Sequence, residues 1–321
     1  LESWDCSRLA SVSRSALRCI LDRENWPKAL SAPAEGLTVG LYPTITPPDR
    51  YSNQPNEWLL HYYIRDGVYT FRAGFQKRHE LLMGPSNAAS PAQLLARVNA
   101  PLIVSAPASW YADSGALLDI TADDPEEFAL YDELMDQGVD LYFDAVEQNH
   151  WYGLMNYGDT PGGRPYSWRN IEYDTQHGLL SQYFRTGDRR FFIAAERAAR
   201  HNADVDVVHH AAGQKCGAGG PRRVGQAWVH CMGHTGGYYP SNHLDMSIYA
   251  CGYCENEGHM WAQGNWEYSL LTGDEQVRRA AQQLADWGSG PNTVEFSYGN
   301  ARVPGWMGII AMSSYFATDD E

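Results

Sequence analysis

The chain has 321 residues, 44% of them hydrophobic and 20% charged, with a formal net charge of −15. This length fits two domains, and the globular balance excludes a mainly disordered chain. No apolar run is long enough to span a membrane, and so acidic a protein lacks the basic face that a nucleic-acid partner requires; an anionic substrate would need a local positive pocket.

Taken in chain order, the pattern changes once. Up to about residue 105 it is strand-like: "GLTVGLYP", then "NEWLLHYYIRDGVYTFRAGF", where Asp66-Gly67 supplies the positive-φ pair of a tight hairpin, then "HELLM". "SAPASWYADSG" reads as a linker. "DPEEFALYDELMDQGVDLYFDAV" then opens with an Asp cap, a first-turn Pro and two Glu residues, the signature of a helix start. From there the chain reads as helices.

An internal repeat organises the helical part. "SQYFRTGDRRFFIAAERAAR" and "WEYSLLTGDEQVRRAAQQLAD" each run helix, Thr-Gly-Asp, helix: Gly187 and Gly273 suit a left-handed C-terminal position, and Asp188 and Asp274 suit the cap of the next helix. Repeated hairpins with longer loops between them are what an α/α toroid requires. A full toroid of about twelve helices needs more residues than follow position 105, so either the toroid is incomplete or the chain is truncated; with no initiator Met and no signal pattern at Leu1, the native polypeptide is expected to extend further. The fold class expected is therefore α+β and multidomain, with a β domain over 1–105 and an α/α toroid over 106–321.

The motifs "EYDTQHGLLSQYFRTGD", "AERAARHNADVDVVHH", "WVHCMGHTGGYY" and "GHMWAQGNWEYSLLTGD", downstream of "KRHELLM", resemble those of the exolytic rhamnogalacturonan lyase-like polysaccharide lyases, whose relatives include ulvan lyases. The resemblance implies a β-sandwich, here partial, followed by a catalytic α/α toroid. It also implies cleavage of a uronate-containing polysaccharide by β-elimination. Gln263 stands where an acidic residue is expected from the family, and "SNHLDMSIYACGYCENEG" looks like an insertion.

Elimination removes the C5 proton of a uronate and expels the sugar on O4, so it needs a group to neutralise the carboxylate, a base and an acid. "HCMGHTGGYY" carries the strongest signal: its glycines bring backbone close to a ligand, His230 and His234 are four apart, and Tyr238 or Tyr239 offers a phenol. His234 and Tyr239 are the expected catalytic pair, with His201 and His209 on the facing wall and His230 and Tyr238 among the binding residues. Arg200 and Arg222 would supply positive charge. His259, Trp261, Gln263 and Tyr173 would bind sugar, with Trp266 as a second stacking surface. For each of these residues the competing reading is structural: a hydrogen-bonded core histidine, a packed tryptophan or a surface arginine.

Asp204 and Asp206 lie in the spacing HxxDxDxxH, which offers ligands for Ca²⁺ or Zn²⁺, although the proposed chemistry requires no cofactor. The expected partner is an acidic polysaccharide. Six cysteines, an even number, favour an oxidising compartment and hence secretion. Two alternatives stand beside the lyase. A glycoside hydrolase would need paired carboxylates, Asp174 with Asp204 or Asp206. A non-catalytic carbohydrate-binding or structural protein of the same fold is suggested by Gln263 and the insertion.

Overall fold

The structure is a computed structural model. It describes residues 10–14, 17–21, 29–31, 36–42, 74–85, 90, 93, 94, 96, 102–117, 120–149, 151, 156–161, 168–211, 223–227, 257–290 and 301–319. The chain divides into two compact units: Leu1–Thr70, Lys77–Ile103 and Ala145–Tyr157 form the first, and Phe71–Gln76, Val104–Asp144 and Gly158–Glu321 the second.

In the first unit, β1 (Ala10–Arg14), β2 (Leu17–Leu21) and β5 (Leu82–Pro85) form an antiparallel sheet in the order β1-β2-β5, with Cys19 opposite Val12 on one side and Met83 on the other. A separate ladder pairs β3 (Ala29–Ser31) with β4 (Thr38–Gly40). The expected strands at "GLTVGLYP" and "HELLM" overlap β4 and β5. The Asp66-Gly67 hairpin lies outside the described residues, as do all the cysteines except Cys19. Two small antiparallel sheets are seen, and no β-sandwich among the described residues.

The second unit is helical: α1 (Ala108–Ser114), α2 (Ala129–Asn149, of which residues up to Asp144 belong here), α3 (Thr175–Thr186), α4 (Arg189–His201), α5 (Gln263–Thr272), α6 (Glu275–Gly288) and α7 (Arg302–Thr318). The stretch read as a linker contains α1, a short helix that Pro107 precedes and the left-handed Gly115 ends; Ala, Trp and Tyr between those two punctuating residues suffice for two turns. As expected, Asp124 accepts the amides of Glu126 and Glu127 ahead of α2. No helix among the described residues is long and apolar enough to cross a membrane.

Both Thr-Gly-Asp turns use each residue in the same way. The Thr186 and Thr272 hydroxyls donate to carbonyls four residues back and accept the amides of Asp188 and Asp274. Gly187 and Gly273 adopt φ of 72° and 76°, and the Asp carboxylates cap α4 and α6. The result is two tight hairpins, α3–α4 and α5–α6, with α3 packed on α5 and α7 packed on both α5 and α6. Tyr183, Phe192 and Tyr268 join the hairpins through ring contacts of 5.5 and 6.1 Å in an interior that also buries Trp168 and Phe191. The acidic row of α2 closes on this frame: Asp132 accepts from Arg185, itself flanked by the Phe128 and Tyr131 rings, and Asp136 and Asp140 pair with Arg190.

The tight turns lie at one end of the hairpins, so α3 and α5 both begin at the other. Gly264, in the first turn of α5, lies so close to α3 that a Cβ there would overlap Gln176 Cγ and the His177 amide nitrogen. Removing a cap should cost about 1 kcal/mol, as for Asp274→Ala. Gly264→Ala should cost more, about 2 kcal/mol or above, because one helix start must move off the other. Urea unfolding of both variants checks this, and equal losses would mean that the two helix starts are not in contact.

Candidate functional site at the helix starts

The segment leading into α3 has an uncommon backbone. Asn170, Ile171, Tyr173 and Asp174 all have positive φ, between 51° and 68°. Left-handed backbone costs a non-glycine residue on the order of 1 kcal/mol or more, and a β-branched residue such as Ile171 is rarest there. Within the run Tyr173 alone is exposed, at 66%, while Asn170, Ile171, Glu172 and Asp174 are buried.

Three contacts converge around this turn. Glu172 Oε1 meets Nδ1 of His259, in the short helical turn Glu257–His259 ahead of α5. On the other side of the ring, Arg302 Nη1 lies 2.8 Å from His259 Nε2. A guanidinium only donates, so Nε2 accepts and Nδ1 carries the proton that Glu172 receives. The Tyr173 ring lies 5.5 Å from that of Trp261, which in turn meets Trp306 at 5.6 Å and His259 at 6.2 Å. An exposed phenol, an imidazole held in one tautomer and an exposed guanidinium thus share one surface. Three residues singled out in the sequence, Tyr173, His259 and Trp261, are brought together here.

A second imidazole–carboxylate pair stands beside it. His177 Nδ1 is 2.9 Å from both Glu267 oxygens, and Gln263 Nε2 donates to Glu267 Oε1 at 3.0 Å. Gln263 thus places its amide on a carboxylate one helical turn later. The Asp174 carboxylate accepts the Gly264 amide beneath this pair. Burial pushes the Asp174 carboxyl up to about 6, with Glu267 adding to the rise and His177 and the amides opposing it. Burial works against a charged His177 ring, but Glu267 and Asp174 outweigh it, so its pKa is raised; its side chain is 37% exposed.

The histidine stretch that follows α4 lies elsewhere. α4 runs into a π-turn, Asn202–Asp206, closed by the Val207 amide on the Asn202 carbonyl. Wider spacing sets residues five apart face to face, and His201 Nε2 lies 3.4 Å from Asp206 Oδ1 and 3.7 Å from Asp159 Oδ2. The His201 side chain has no exposed surface, so it sits in the interior rather than on a groove wall. Both His209 ring nitrogens are engaged, by the Ala203 carbonyl at 2.5 Å and Gln283 at 2.7 Å. Arg200 pairs with Glu196 and Asp274, and Trp266 is core.

Asp204, Asp206 and Asp174 are all buried, which leaves none of the carboxylates named for a hydrolase on an open surface. Among the described residues no group of three or more His, Cys, Asp or Glu is arranged to hold a metal ion; Asp206 is taken up by Asn202 and His201. Arg222, His230, His234, Tyr238 and Tyr239 lie outside the described residues.

Four members of this site were missed in the sequence: Glu172, His177, Glu267 and Arg302. The first three sit inside motifs already quoted, yet their partners lie 87 and 90 residues away. Spacing along the chain carries no trace of such pairs.

Residues 100–224 match the family described as the PcRGLX-like protein C-terminal alpha/alpha toroid domain. An α/α toroid domain is thereby indicated. For this domain the match supports the rhamnogalacturonan lyase-like family that the motifs resemble. It takes in α1 to α4 and the π-turn, and the second Thr-Gly-Asp hairpin continues the toroid pattern beyond it. No curated protein matches the chain.

The buried carboxyls predict a pH dependence of stability. Asp174 and Asp159 have folded-state values of about 6 against an ordinary 3.8, so the folded state holds their protons more tightly than the unfolded chain does. Their contribution is complete below 3.8 and is lost as the pH rises to about 6. Asp174→Asn, which still offers an oxygen to the Gly264 amide and tolerates positive φ, should reduce this fall and be the more stable protein above about pH 6. Urea unfolding between about pH 4 and pH 7 measures it; a dependence identical to the parent's would remove Asp174 as a contributor.

Proposed function

We propose that the protein is a polysaccharide lyase that cleaves a uronate-containing polymer of rhamnogalacturonan or ulvan type by β-elimination. The observation that carries this reading is His259, held between Glu172 and Arg302 beside the exposed Tyr173 ring. On a chain of net charge −15, Arg302 answers the need for local positive charge, and the starts of α3 and α5 add the positive ends of two helix dipoles.

In the proposed reaction the uronate carboxylate takes Arg302, and the sugar lies along Tyr173. Arg302 then leaves His259 Nε2, whose lone pair receives the C5 proton. Glu172, on the far nitrogen, stabilises the imidazolium that forms. The C5–H electrons form the C4=C5 bond, the C4–O4 bond breaks, and a phenol returns a proton to the departing oxygen. Tyr173 is the phenol on this surface; Tyr239, paired with His234, is the candidate from sequence. Only protein groups are needed. The substrate is a large polymer, and the even cysteine count accords with a secreted protein.

Elimination leaves a conjugated double bond that absorbs in the ultraviolet, whereas hydrolysis does not. Against uronate polymers the protein should therefore generate ultraviolet-absorbing ends. His259→Ala should lower turnover by roughly 10²–10⁴-fold, the range for general acid–base catalysis, in protein that circular dichroism shows to be folded, although it leaves the buried Glu172 carboxylate without its imidazole and so costs some stability. Arg302→Ala should raise KM as well. Wild-type turnover in His259→Ala together with its loss in His234→Ala would move the base to the glycine-rich segment. Cleavage without a double bond would favour a hydrolase, and tight polymer binding without cleavage a binding protein.

A further inference from the structure

We infer that the buried Asp159–His201–Asp206 cluster is a positioning device for the sugar site, acting through the left-handed turn Asn170–Asp174; this rests on the reading of His259 and Tyr173 as site residues. Asp159 is the link. Its carboxylate accepts the Thr160 amide at 2.7 Å, the Asn170 amide at 2.8 Å and the Ile171 amide at 3.4 Å. Two of these belong to residues in the strained run, and the next residue along is Glu172, which orients His259. An isolated segment would not hold four non-glycine residues at positive φ, so the surrounding protein must supply the restoring interactions.

The carboxylate faces a buried imidazole. His201 lies 3.7 Å from it, on the last turn of α4, and the π-turn brings Asp206 onto the same imidazole. From Asp206 hydrogen bonds run through Asn202 to Asn265 on α5 and to Gln176 on α3. Each group in this chain is buried. Gly158, next to Asp159, lies so close to α4 that any side chain would overlap the Arg197 carbonyl. The anchor therefore has little freedom to shift, and what it holds is the backbone on both sides of Ile171. None of the three cluster residues needs to touch substrate for this role.

The test uses the full chain with ¹⁵N-labelled histidine, reading the His259 imidazole tautomer by long-range ¹H–¹⁵N NMR, with the signal assigned by its loss in His259→Gln. In the parent protein His259 should show the Nδ1–H form that Glu172 and Arg302 impose. Asp159→Asn gives up one amide acceptor and should move His259 toward a mixture of tautomers. It should also lower kcat at least tenfold with a smaller change in KM. Asp132→Asn, which breaks the distant ion pair with Arg185, is the control for lost stability and should leave the His259 signal alone.

A folded Asp159→Asn protein with an unaltered His259 signal overturns the inference while leaving the lyase reading in place. A protein that makes no unsaturated product overturns the lyase reading, but the imidazole signal still reports on Asp159. Should Asp159→Asn fail to fold, Asp206→Asn keeps all three amide bonds to Asp159 and disturbs the cluster from its far side. A smaller shift of His259 in the same direction supports the inference, and no shift overturns it.

Discussion

The front of the helical unit depends on one buried run of polar contacts, from Gln176 through Asn265, Asn202 and Asp206 to His201 and Asp159. In an interior of low polarity such a run is stabilising only when its members find partners, and a single unmatched member is costly. That makes it a geometric constraint as much as an adhesive. It ties α3, α4, α5 and the π-turn to one arrangement, and through Asp159 it extends to the turn that opens α3. Burial raises both Asp159 and Asp206 above the ordinary carboxylate range, Asp206 well above.

On the surface above this run the chemistry is different. Glu172, His259 and Arg302 form a line in which each polar atom has a defined role, and the aromatic rings of Tyr173, Trp261 and Trp306 flank it. Strain stored in the left-handed turn is what allows Glu172 to face inward and Tyr173, its neighbour, to face solvent. A regular helix continued back through these residues would set the two side chains only about 100° apart. Backbone strain at this position thus leaves the aromatic ring exposed and the carboxylate against the histidine.

Repetition made the hairpins legible. Thr-Gly-Asp needs only local geometry: a hydroxyl that bonds within its own turn, a glycine that accepts positive φ and a carboxylate that caps the next helix. Both copies behave as that chemistry requires. The helical character of the second half was legible for a similar reason, since periodicity is local: α1 to α7 all follow residue 105, although the described residues Gln93, Leu94 and Ala96 are already helical within the stretch read as strand-like. The short helix α1 was concealed by its Ser, Ala and Pro content, which serves linkers and helix starts equally well.

The site was legible only in part. Tyr173, His259 and Trp261 stand out as chemistry-bearing residues beside glycines and helix starts, and the structure gathers them. His201, Asp204 and Asp206 looked like a functional cluster because their residue types are those of active sites, but His201 lies on the buried face of α4 and the π-turn that follows buries Asp204 and Asp206, and no composition rule foretells a π-turn. Glu172, His177, Glu267 and Arg302 acquire meaning only from partners on other elements. Sequence alone determined what depends on neighbours within about a turn: the hairpins, their caps and the helical character of the second half. Tertiary structure decided which histidine meets which carboxylate, because that depends on the packing of helix starts far apart in the chain, and packing is set by many side chains at once.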